Sequence, residues 1–169
     1  MALVEAGTGS GQVLASAVEV DGRGHRLLWC EYPASRHLEN KGVARGQRLT
    51  REIIEKGLIY PTADFDGLRR SALENVPRVV EKVLGEAGLE RADVLIVRHL
   101  LPDVERELGE RLAPRVGRTE SDDMLYCYAA SLPVSLARLR AQGRVRSGET
   151  VVLAAAGSGA SWGAMVVEV

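Results

Sequence analysis

The chain has 169 residues, 22 Lys and Arg against 23 Asp and Glu, a formal net charge of −1, 46% hydrophobic and 4% aromatic residues. Clustered positive charge is what draws a protein to nucleic acid or an anionic membrane, and a balance this even gives no reason to expect either partner. No stretch of about 18 apolar residues predicts a membrane span, and the opening MALVEAGTGSG lacks a basic region followed by an apolar run. Cys30 and Cys127, far apart and accompanied by three histidines, give neither a disulfide framework nor metal-ligand spacing. A reducing cytoplasm is therefore the expected compartment, with no metal. A chain of this length buries roughly 70% of its unfolded surface, and with 18 glycines and few aromatics its core must be Val, Leu and Ala on closely approaching backbones. That favours an α/β sheet in one domain over residues 1–169.

Residues 12–20 (QVLASAVEV) read as a strand, and Asp21 to Gly24 supplies turn chemistry before the strand-like residues 25–31, so a hairpin is predicted. Residues 33–64 form a long excursion broken by Pro33, Gly42, Gly46, Gly57 and Pro61, with one short helix near residues 50–55. From Asp66, apolar residues at three- and four-residue spacing from Leu68 to Ala87 predict a helix capped by Gly88 and kinked or divided at Pro77. Residues 93–98 (DVLIVR) are a buried parallel strand ending at His99. Asp103 is expected to cap a short amphipathic helix through Leu112. Residues 125–139 (LYCYAASLPVSLARL) read as a helix that is apolar around most of its circumference, followed by strands at 150–156 and 161–169. Residues 157–160 (GSGA) are a tight loop between them, and the order of elements is that of a mixed α/β layer.

Several segments now point to a family. GTGSG (7–11) is similar to the GDGAGA that opens the C-terminal half of β-ketoacyl-acyl carrier protein synthase III, of the thiolase-like superfamily. Residues 74–94 (ENVPRVVEKVLGEAGLERADV) resemble its central helix, and VRHLLP (97–102) stands where the family has PHQAN. AASLPVSLARL (129–139) is similar to AASIPIAL, and residues 143–169 resemble the closing segment with its GGGxTWGA loop. The resemblance runs nearly end to end and implies half of a thiolase-like fold, a mixed five-stranded sheet with helices. It also implies acyl transfer from coenzyme A or phosphopantetheine thioesters, as substrates and not bound cofactors, by a Cys, a His and an Asn. The family Cys belongs to the N-terminal half.

Carried over residue by residue, His99 takes the family His position, while Leu100 and Pro102 replace Gln and Asn. The Asn of GNTSAAS falls on Tyr126, whose hydroxyl can donate a hydrogen bond but is bulkier. A local alternative sets Gly117-Arg118-Thr119 against GNT, also without Asn. His99, at the carboxyl end of a strand where α/β proteins keep ligands, is a candidate base or hydrogen-bond donor, or a partly buried remnant. Gly157, Ser158 and Gly159 correspond to the family's oxyanion loop, or form a β-turn, or both. Cys127 sits near a helix N-terminus, where the macrodipole favours a thiolate, but in an apolar setting where a buried small hydrophobe is the commoner state. Cys30 reads as structural. Gly7 to Gly11 lacks the helix and Lys-Ser/Thr of a phosphate loop. Arg36, Lys41, Arg45, Arg48 and Arg51 suit either coenzyme A phosphates and an acidic acyl carrier protein or a solvated face.

In the family two such halves share a central helix layer, and residues 125–139 occupy that place. Leaving that helix half exposed strands roughly several hundred Å² of apolar surface, on the order of 10 kcal/mol of unrealised burial. Two expectations follow. The chain is a subunit of a split acyltransferase whose site is completed in trans by a Cys-bearing, N-terminal-half-like partner, or it is a non-catalytic scaffold or regulatory subunit; in either case it pairs with such a partner or with itself.

Overall fold

The computed structural model describes residues 11–30 and 50–169. In chain order the elements are β1 (Gln12–Val20), β2 (Leu28–Trp29), α1 (Arg51–Glu55), β3 (Thr62–Ala63), α2 (Phe65–Glu86), β4 (Ala92–Arg98), α3 (Pro102–Leu112), β5 (Val116–Thr119), α4 (Ser131–Ala141), β6 (Thr150–Gly157) and β7 (Ser161–Glu168). Five strands form a mixed sheet in the order β1-β7-β6-β4-β5, with β4 parallel to β5 and β6, and with β7 antiparallel to both β6 and β1. The expected mixed α/β class and strand number both hold.

The apolar spacing of α2 buries Leu68, Ala72, Val76, Val79, Val80 and Val83 against the sheet, with Asp64 accepting the Gly67 N–H at the start. Gly88, at φ +70°, follows its end. Pro77 does not divide it. Proline has no N–H for the Leu73 carbonyl one turn back, and Arg111 Nη1 of α3 donates to that oxygen instead at 3.2 Å. α2 and α3 cover one face of the sheet, meeting Leu95, Val97, Val152 and Val166; α4 lies on the other with Val94, Ile96, Val151 and Val167.

Four local readings are corrected. The hairpin expected from residues 12–20 and 25–31 does not form among the described residues. β1 pairs with β7 along its length, and β2 shrinks to two residues that pair with β3 in a separate ribbon. Asp21 caps a 3-10 turn at Gly22–Gly24, and its backbone N–H and C=O both pair with Ala160. The chain is thus anchored to the β6–β7 loop and does not turn back on β1.

Asp103 is not the cap of α3. Leu101 holds that position and Pro102, whose missing N–H costs nothing in the first turn, starts the helix; Asp103 sits in that turn, where negative charge suits the dipole. Residues 125–130 are not α-helical. A 3-10 turn at Tyr128–Ala130 precedes α4, Tyr128 has φ +51°, and the Ser131 hydroxyl accepts the Cys127 N–H at 2.7 Å. α4 buries only the stripe Ser131, Ser135 and Leu139. Finally, β5 was not expected, because VGRT carries no apolar run; Gly117 is required there, since a Cβ would stand 2.7 Å from the Asp93 carbonyl oxygen.

Candidate active site at the carboxyl ends of β4 and β6

Parallel pairing sets Arg98 of β4 beside Ala155 of β6. His99 and the loop beginning at Gly157 therefore leave the sheet at the same end. His99 is 3% exposed. Its Nδ1 accepts the Leu101 N–H at 3.0 Å, which requires that nitrogen to be unprotonated and leaves Nε2 carrying the proton of the neutral ring. Burial pushes the imidazole pKa below its ordinary value, and the Asp103 carboxylate pulls the other way. The His99 N–H donates to Glu105 Oε1 of α3 at 2.7 Å.

Beside it, the buried Arg98 donates through Nη2 to the Met124 carbonyl at 2.6 Å and through Nη1 to Asp122 Oδ1 at 3.4 Å, and its Nε stands 3.5 Å from Glu105 Oε1. Asp122 Oδ1 also accepts the Met124 N–H and the Ser135 hydroxyl, both at 3.3 Å. Burial raises the Glu105 pKa, opposed by the His99 N–H and the Arg98 charge. Tyr126, half-buried, is raised first by burial and then by Tyr128 and Glu105, so its phenol is a protonated donor at neutral pH. Its ring lies 5.4 Å from that of Tyr128, centroid to centroid.

The Gly157–Ala160 loop is pinned from outside. Asp21 N–H donates to the Ala160 carbonyl at 2.8 Å and Ala160 N–H to the Asp21 carbonyl at 2.9 Å. An oxyanion at this loop must use other N–H groups. Gly159 has φ +151°, a conformation that favours glycine.

Cys127 is exposed, not buried as its apolar neighbours suggested, and a 3-10 turn separates it from α4. Its thiol donates to the Leu125 carbonyl at 3.2 Å. Cys30 is half-buried and donates to the Leu58 and Ile59 carbonyls at 3.5 and 3.3 Å. It lines an apolar pocket of about 580 Å³ with Trp29, Phe65, Leu100, Leu101 and Tyr128, next to His99 in sequence. Gly117 to Thr119, the alternative counterpart of GNT, lie within β5. Arg51 pairs with Glu55 at 2.7 Å on an exposed face. Residues 7–10 of the first glycine run, and Arg36, Lys41, Arg45 and Arg48, lie outside the described residues. Among the described residues there is no group of three or more His, Cys, Asp or Glu able to hold a metal, and no helix long and apolar enough to cross a membrane.

Residues 110–169 match the family described as 3-oxoacyl-[acyl-carrier-protein (ACP)] synthase III C terminal. The structure of 3-oxoacyl-(acyl carrier protein) synthase III from Pseudomonas aeruginosa superposes with a TM-score of 0.74 at 21% identity, covering 98% of this chain and 46% of that one. The chain has the fold of a synthase III C-terminal half. The Aquifex aeolicus enzyme gives a TM-score of 0.72 at 20% identity over 97% of this chain and 46% of that one. In sequence, the β-ketoacyl-[acyl-carrier-protein] synthase III of Rhizorhabdus wittichii is 29% identical over 165 residues, 92% of this chain and 44% of the relative. That of Gloeobacter violaceus is 28% identical over 166 residues, 95% of this chain and 50% of the relative. The chain thus spans about half the length of the curated relatives it matches.

Within this fold the structure brings His99 and the glycine loop to one edge of the sheet. Tyr126 lies within electrostatic reach of Arg98 and Glu105, the residues that flank His99. The sequence reading missed Arg98, Glu105 and Asp122. The available signal was Arg98 itself, a charge closing an otherwise apolar strand, a place where a charge is stable only with partners.

Proposed function

We propose that the chain is one half of a two-part acyltransferase acting on acyl-coenzyme A or acyl carrier protein thioesters, its site completed in trans by a Cys-bearing half of the N-terminal type. The observation that carries this reading is a strip on the α4 face of the sheet that none of the described helices covers. Opposite α4's face, α2 reaches β1, β6 and β7 and α3 reaches β4, whereas α4 reaches β4 and β6. Register places Val18 beside Gly163 and Val20 beside Ser161 on the side where Val167 meets α4. Val18 and Val20 are 77% and 70% exposed. Strands lie about 4.8 Å apart, so the strip made by β1 and the first half of β7 is about one helix diameter, ~10 Å, wide. Leu125 and Tyr128, which precede α4, and Val134 within it are further exposed apolar side chains. A partner laying one helix beside α4 covers both.

In the completed site a partner cysteine thiolate attacks the acyl thioester carbonyl, forming a new thioester while the coenzyme A thiolate leaves and takes up a proton. His99 Nε2–H and N–H groups of the Gly157–Gly159 loop donate to the oxygen as it gains charge. Coenzyme A or phosphopantetheine enters as substrate. The test is co-expression with a Cys-bearing half and an assay of acyl transfer from acyl-coenzyme A. Turnover is expected only with both chains, and His99→Ala is expected to lower it ~10²-fold or more, the scale for one oxyanion donor. Turnover indifferent to His99→Ala removes the residue from the mechanism.

A second reading, a non-catalytic scaffold or regulatory subunit, is favoured by Tyr126, a phenol where the resemblance places Asn. It predicts a stable complex whose acyl transfer does not respond to His99→Ala.

A further inference from the structure

Arg98, Glu105 and Asp122 form a charged cluster buried around the end of β4. The Arg98 and Asp122 side chains are only 5% and 1% exposed, and Glu105 is 17% exposed. Burying three charges is costly unless each is paired; here Arg98 faces both carboxylates, and Arg138 Nε of α4 stands 3.3 Å from Asp122 Oδ2. Glu105 reaches across from α3 and takes the His99 N–H at 2.7 Å. Arg98 stands between Glu105 and Asp122 and holds the Met124 carbonyl at 2.6 Å. Strand alternation sends Val94, Ile96 and Arg98 to the α4 face, while Leu95 and Val97 face α2 and α3. The cluster therefore joins α3, the β4 end and the connection leading to Tyr126.

We infer that Glu105 and Arg98 are positioning residues for His99: Glu105 fixes the backbone at His99 so that the ring meets the Leu101 N–H through Nδ1, and Arg98 holds Glu105 and the Asp122–Met124 turn against the same strand end. The bend that ends β4 carries two N–H groups, of His99 and Leu101, pointing to a carboxylate and to an imidazole nitrogen. Losing the first frees the backbone that presents the second. The imidazole then no longer has one preferred tautomer. The chemical benefit of this placement rests on the proposed role of His99 as an Nε2–H donor; the placement itself does not.

The experiment is nitrogen NMR of the His99 ring in the full chain, wild type beside Glu105→Gln, Glu105→Leu and Arg98→Met. Wild type is expected to show the Nε2–H tautomer at neutral pH. Glu105→Gln keeps an acceptor oxygen and preserves that tautomer, whereas Glu105→Leu gives a mixture and exposes the Leu101 amide to exchange about tenfold faster, the scale of one lost hydrogen bond. Arg98→Met shifts the ring in the same direction as Glu105→Leu. An Nδ1–H tautomer in wild type overturns the inference without any variant, and so does an unchanged ring in folded Glu105→Leu. If Glu105→Leu does not fold, Glu105→Ala, which keeps a good helix former but removes the acceptor, takes its place, and an unchanged ring there overturns the inference. Because the readout needs no turnover, acyl transfer indifferent to His99→Ala with the expected tautomers would overturn only the catalytic reading.

Discussion

A neutral buried imidazole makes stability depend on pH in a fixed direction. The folded His99 pKa lies below its ordinary 6.5 because of burial, so the stability it contributes is present above 6.5 and lost as pH falls through the folded value. The slope from one such group is at most about 1.4 kcal/mol per pH unit. Glu105 acts oppositely: its pKa is raised by burial, so its contribution is lost as pH rises through the folded value. Urea midpoints between pH 7.5 and 5 should therefore fall less in His99→Gln than in wild type, and equal falls contradict the buried neutral ring. Cys127 gives a second prediction at this scale. Its thiol is exposed but bonded to the Leu125 carbonyl, and the nucleophile is assigned to the partner. Intact-mass measurement after incubation with acyl-coenzyme A should show no adduct on this chain, and an acylated Cys127 contradicts that assignment.

Two contacts between elements carry testable weight. A proline inside a helix costs on the order of 3 kcal/mol through the missing hydrogen bond and the ring clash together, and at Pro77 Arg111 supplies the missing donor to Leu73. Arg111→Ala should cost about 1–2 kcal/mol in denaturant unfolding, and less when Pro77→Ala has restored the backbone bond; an equal cost in both backgrounds removes the coupling. Gly24 packs on the glycine loop so closely that a Cβ would stand 2.4 Å from the Ala160 nitrogen. Gly24→Ala should destabilise by ~1–3 kcal/mol and move the Gly157–Ala160 resonances; unaltered loop shifts contradict the pinned geometry.

These elements also show what was legible in the sequence. The period of Leu68 to Leu84 and the apolar runs of β4, β6 and β7 carry their own structure, because burial on one or both faces sets their pattern. The position of His99 at a strand end and the tight 157–160 loop were readable for the same reason. The partner of β1 was not, since β7 lies about 140 residues away and nothing local in QVLASAVEV distinguishes it from a hairpin mate. The 3-10 turn before α4 was hidden because Ser131 competes for the Cys127 N–H, and a periodic count does not see such a bond. Glu105 and Asp122 become site residues only when the fold brings them to Arg98.

At the scale of the whole molecule, the described residues make a sheet with one face covered by two helices and the other by one. Left alone, a chain exposing Val18, Val20, Leu125 and Tyr128 should self-associate. Sedimentation should give a mass that rises above 18.3 kDa with concentration, and a constant monomer mass contradicts the claim that this surface needs a cover. The most direct test of the two-part account is backbone hydrogen exchange of the chain alone and in complex with a Cys-bearing half. The account predicts new protection in β1, in the first half of β7 and along α4, with α2 and α3 unchanged. Protection gained on α2 and α3, or a complex that leaves β1 and α4 exchanging as before, would contradict it.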